Sequence, residues 1–154
     1  MADYYSPATV QPIIPIGDMT ALELLLLTLV FNAERDGDAL YFFTEYGPSD
    51  IVTLSRAQLV EAWEVSQWAT GSTANVYIAE KRTSWELLFQ DIAKRSATVD
   101  EIVVTTSFTC SKMRPDGFGG SVVLVTANAI SGKSTTDILE DLRADLDRPK
   151  APMS

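Results

Sequence analysis

The run from Leu22 to Phe31 limits the fold more than any other part of the sequence: it is ten residues long and carries one charge, Glu23. Thr20-Ala-Leu-Glu23 opens it as a capping box, in which the Thr20 hydroxyl and the Glu23 carboxylate each satisfy an amide that a helix start leaves unpaired. Leu22, Leu25, Leu26, Leu29 and Val30 then share one helical face, while Leu24, Leu27 and Phe31 fill most of another. Such a helix must be covered on more than one side, so the sequence predicts a central core helix or one that meets a second subunit. The run is about half the roughly 20 residues needed to cross a bilayer, so no membrane span is expected. Asp36-Gly37-Asp38 closes the segment.

The rest of the chain supplies covering layers. Pro7, Pro12 and Pro15 forbid helix and predict an extended Pro-rich arm over residues 1–17, with its isoleucines against the body of the domain. Leu40–Thr44 and Ile51–Leu54 flank turn residues and read as an antiparallel hairpin. Ser55-Arg-Ala-Gln58 is a second capping box, starting a helix to about Trp68 that turns Leu59, Ala62 and Trp63 inward. Residues 73–82 read as helix, though Val76, Tyr77 and Ile78 would suit a strand. A third capping box, Thr83-Ser-Trp-Glu86, precedes the cleanest amphipathic stripe: Trp85, Leu88, Phe89, Ile92 and Ala93 on one side, Glu86, Gln90, Asp91, Lys94 and Arg95 on the other.

Ile102 to Cys110 alternates as a strand with one buried and one wetter face, and Ser121–Thr126 is apolar on both faces, as a central strand would be. A last helix, about Thr135 to Asp147, is predicted to bury Ile138, Leu139, Leu142 and Leu146. The order α-ββ-α-(α)-α-ββ-α gives an α+β fold: an antiparallel sheet of about four strands, in two hairpins, packed against four to five helices. Residues 18–147 form one domain and 148–154 a flexible tail.

Charge and composition exclude several chemistries. The 154 residues contain no His and one Cys, which removes a disulfide framework, His-based zinc sites and mechanisms that need an imidazole base. The net charge of −9 argues against a surface that grips phosphates, so no direct nucleic-acid contact is expected. All of that excess lies in residues 1–80, where eleven acids face only Arg35 and Arg56; residues 81–154 are balanced, ten against ten. A start without a basic n-region, together with a lone thiol, predicts a cytoplasmic setting.

Four groups of residues are candidates for chemistry. Ala127 to Ser134 has the form [A/G]xxxxGK[S/T] between a strand and a helix, so Gly132, Lys133 and Ser134 form a P-loop-like candidate for cradling phosphates. Against it, Ala127 replaces the first glycine; a plain strand-to-helix turn capped by Ser134 or Thr135, with Asp137 in the first turn, explains the same residues. In the glycine-rich connection from Cys110 to Gly120, the residues Lys112, Met113, Arg114, Asp116 and Phe118 form a candidate interaction loop or anion clamp. Cys110 falls on the apolar face, as an inert buried thiol. Glu34, Asp36, Asp38, Glu45 and Asp50 form a candidate acidic surface, while Asp137, Glu140, Asp141 and Asp145 read as the solvated face of the last helix. Glu61 and Glu64 have no cleft to make them an acid pair, and Trp63, Trp68 and Trp85 read as packing.

These features favour a non-catalytic protein–protein interaction module, adaptor- or chaperone-like, with no cofactor or metal and with a protein partner or a second copy of itself. An acidic inhibitor of a basic nucleic-acid-binding enzyme is one alternative. The other is an enzyme for a small anion or nucleotide, for which Lys112, Arg114, Asp116 and Lys133 would have to converge.

Overall fold

The computed structural model describes residues 3–48, 56–66 and 84–147. Its core is an antiparallel sheet of eight strands, not about four, with four α-helices among the described residues. The additional strands come from segments whose composition hides them. The Pro-rich start contributes three short pieces, β1 (Tyr4–Tyr5), β2 (Ala8–Gln11) and β3 (Ile14–Pro15). Two more, β4 (Asn32–Asp36) and β8 (Ile130–Ser134), are polar and poor in β-branched residues. The remainder are β5 (Ala39–Thr44), β6 (Glu101–Cys110) and β7 (Gly119–Thr126).

Residues 4–15 thread the middle of the sheet between its long strands β5 and β6. Tyr5 lies opposite Thr109 and Ala8 opposite Thr106 in one continuous register, with the Pro7 carbonyl accepting from the Ser107 amide at 3.0 Å between them. On the other side, β2 sets Thr9 against Phe43 and β3 sets Ile14 against Leu40, a shift of two residues taken up at Pro12 and Ile13. Proline has no amide to give to a ladder, so the strand is interrupted around Pro7 and Pro12, and Pro15 is its last paired residue. Ile14 is fully buried, whereas Ile13 is exposed.

The hairpin partner of β5 is also not the expected one. Asn32–Asp36 pairs with it, so that Glu34 faces Tyr41, across a two-residue turn in which Gly37 takes φ 61°. Residues 51–54 lie outside the described residues, as do 73–82, Ser55, Trp68, Asp50 and the 148–154 tail.

One face of the sheet carries the core. Val10, Val104, Ile102, Phe42 and Val125 point from it into helices α1 (Ala21–Val30) and α3 (Trp85–Arg95). Phe31, Phe42, Phe89 and Trp85 meet ring to ring, with Phe31 5.7 Å from Phe89 and from Trp85. Helix α2 (Arg56–Val65) packs on α1 and brings Ala62 into the core, which gives α1 a second covered side. The predicted capping box is present: Glu23 N donates to Thr20 Oγ1 at 3.0 Å and Thr20 N to Glu23 Oε1 at 2.9 Å. Ser66, at the end of α2, accepts from Leu22 N at 2.9 Å, which satisfies another of the first amides of α1. The cap of α3 is Ser84, one residue later than predicted, and Asp91 is buried rather than on the wet side.

Candidate interaction surface

Helix α4 (Thr135–Asp147) starts where β8 ends. Ser134 caps it: Ser134 Oγ accepts from Asp137 N at 3.2 Å, and Ser134 N donates to Asp137 Oδ2 at 2.8 Å. The Ser134 N bond, and a second from the Ser134 hydroxyl to the same Asp137 Oδ2 at 3.0 Å, hold the Asp137 carboxyl below its ordinary range, the backbone bond being the larger cause. Lys133 pairs with Asp141, one turn further along the helix, and this bond and charge raise the pKa of the lysine.

That geometry corrects the P-loop reading. Gly132, Lys133 and Ser134 belong to a β-strand, with Gly132 opposite Val123 and Lys133 opposite Val122. A strand directs successive amides to alternate edges, so they do not converge on a phosphate.

The other main correction concerns what α4 buries. Ile138, Leu139, Leu142 and Leu146 are 46, 45, 55 and 85 % exposed, although they form one stripe about 100° wide. The helix leaves from an edge strand, and no described element packs over the stripe. The acids Asp141 and Asp145 border it on one side; Arg143, Asp147 and Glu140 follow on the other. Beside α4, the second face of β7 presents Val122 and Leu124, both exposed, which is why Ser121–Thr126 is apolar on both faces. A second apolar region, a cleft of about 600 Å³ between α1, α2 and the sheet, is lined by Leu24, Leu25, Leu40 and Ala62 among others.

The remaining candidates do not gather into one site. The connection after β6 carries Lys112, Met113, Arg114 and Asp116, all exposed; Met113 is 74 % exposed with φ 55°. Asp116 and Phe118 line a cleft with Tyr4 and Phe108, but Lys112, Arg114 and Lys133 are not among its walls. Cys110 is buried beneath that connection. Glu34 and Asp36 share one side of β4, and Asp38 follows at the turn. Glu45 lies past the other end of β5, about 20 Å along the strand from the turn. Glu61 and Glu64 are exposed. Among the described residues no three His, Cys, Asp or Glu side chains are grouped as metal donors, and no helix is long and apolar enough to cross a membrane.

The α4 stripe was missed because amphipathic spacing states which face is apolar without stating what covers it. No protein-family model matches the chain, and no curated protein or solved structure is similar to it.

Proposed function

We propose that the protein is a non-catalytic interaction module whose α4 receives a basic, amphipathic segment of another protein. The observation that carries this reading is the exposed leucine stripe of α4 set between acids. Covering Ile138, Leu139 and Leu142, which are about half covered, and Leu146, which is mostly exposed, contributes on the order of 1 kcal/mol each. That sum corresponds to millimolar binding at best, before the cost of association, so apolar contact alone makes a poor site. The acids supply the difference when the partner is cationic. Helix α4 holds five acids and one base in a chain of net charge −9. A second copy would bring the same charge to the same stripe, which disfavours self-association there.

The test is fluorescence anisotropy with two labelled helical peptides of identical leucine spacing, one filled with Lys and one with Glu. The Lys peptide binds wild type, weakens with added salt, and loses at least tenfold on Leu142→Ser/Leu146→Ser, a variant that keeps every charge. Equal binding of wild type and variant would reduce the interaction to unspecific charge attraction and contradict the proposal.

A further inference from the structure

We propose that the cleft between the chain start and the first turn of α4 is an aromatic box for a cation, an alkylammonium or guanidinium group. The inference is independent of the leucine stripe. The cleft measures about 310 Å³, and the residues along its walls include Tyr4, Tyr5, Phe108 and Phe118, with Asp116.

Sheet register builds it. Tyr4 and Tyr5 of β1 pair with Cys110 and Thr109 at the end of β6, and Phe108 faces Gly119 at the start of β7. The 3-10 turn Pro115–Gly117 brings Asp116 and Phe118 alongside. Gly117 is needed for this closure: a Cβ there would meet the Tyr4 ring at 3.0 Å and collide with Cys110. None of the four rings belongs to the core, and their exposure runs from 38 to 59 %. Tyr4 and Phe108 share one face of the sheet with Phe118 beside them, while Tyr5 alternates to the other face, so three aromatic residues at one small hollow are left without a packing role.

The chemistry of the walls selects the ligand. Ring faces are negative at their centres and attract a compact cation. Asp116 adds a full negative charge and has no ion-pair partner among the described residues. The positive end of α4, whose Ser134, Thr135 and Thr136 also line the cleft, would oppose a cation. Asp137 answers it by accepting from Ser134 N at 2.8 Å. An anion would face Asp116 and the rings, and a neutral apolar group would leave Asp116 unused.

The experiment is an NMR titration of the full chain, followed at the aromatic resonances of residues 4, 108 and 118. The probes are tetramethylammonium, its neutral isostere neopentane carried on a soluble alcohol, and end-blocked lysine and arginine. Tetramethylammonium gives saturable shifts at these three residues, and the neutral isostere binds at least about fivefold more weakly. Asp116→Asn costs about fivefold and Phe118→Leu about as much, while Leu142→Ser changes nothing. Blocked lysine or arginine binding tenfold tighter than tetramethylammonium identifies the ligand as a side chain on a partner; the reverse order identifies a free small cation. Equal binding of the neutral isostere, insensitivity to Asp116→Asn, or shifts elsewhere on the chain would overturn the proposal.

Discussion

Lys133 of β8 and Asp141 of α4 form an ion pair across the junction of the last strand and the last helix. The lysine that a phosphate loop would aim at a nucleotide is turned toward the following helix. Mg²⁺ with ATP is therefore expected to leave the melting temperature of the protein unchanged, and Lys133→Ala to behave like wild type toward nucleotide. A nucleotide-dependent rise in Tm that disappears in Lys133→Ala would restore the phosphate-site reading.

The same junction sets the pH limits of α4. Asp137 has a lowered pKa in the folded state, so its stabilisation is complete above the ordinary 3.8 and is lost as pH falls through the lower folded value. Lys133 has a raised pKa; its stabilisation is complete below 10.5 and is lost as pH rises through the higher folded value. Helicity from α4 is expected to be flat between these limits. Carboxylate ¹³C shifts of Asp137, followed downward in pH, report the acid limb, and Asp137→Asn removes it.

Glu23 and Arg95 make a pair of a different kind. Glu23 is fully buried, accepts from Thr20 N at the α1 start, and meets the guanidinium that also donates to Asp18 O at 3.2 Å. Glu23→Gln takes the charged partner from a partly buried arginine that keeps its bond to Asp18 O, so it is expected to cost about 2–3 kcal/mol, at the low end for buried pairs because Arg95 keeps some solvent access. Urea unfolding measures it; a loss under about 0.5 kcal/mol would place the pair with ordinary surface bridges.

Core and stripe leucines and aromatics are expected to respond oppositely. Phe89→Ala opens the ring cluster of Phe31, Phe42 and Trp85 and should cost about 3–5 kcal/mol. Leu142→Ser/Leu146→Ser removes nothing from the core and should stay within about 0.5 kcal/mol per site. Thermal denaturation of the two variants side by side checks the contrast. A large loss in the serine variant would mean the stripe is packed.

The legible parts of this sequence are those where local chemistry and tertiary role agree. The Thr20–Glu23 cap, the helix Ala21–Val30 that takes up most of the Leu22–Phe31 run, and the Trp85–Ala93 stripe are formed as their residues require. Strands β4 and β8 were invisible because Asn32-Ala-Glu-Arg-Asp36 and Ile130-Ser-Gly-Lys-Ser134 hold few β-formers; hairpin partners impose their pairing. The prolines marked residues 1–17 as extended but could not reveal a place at the centre of the sheet, since a register is a property of the neighbours. Of the candidate site residues, Asp116 and Phe118 share a cleft with Tyr4 and Phe108, a grouping that spacing over a hundred residues cannot show.

The account turns on where a cationic amphipathic segment sits. Amide NMR mapping of the Lys-filled peptide on the isotope-labelled chain tests that directly. The predicted result is a contiguous footprint on residues 138–146 of α4 and on Val122 and Leu124, absent in Leu142→Ser/Leu146→Ser. A footprint confined to the Glu34–Asp38 hairpin or the α1–α2 cleft, or concentration-dependent broadening of α4 without any peptide, would contradict it.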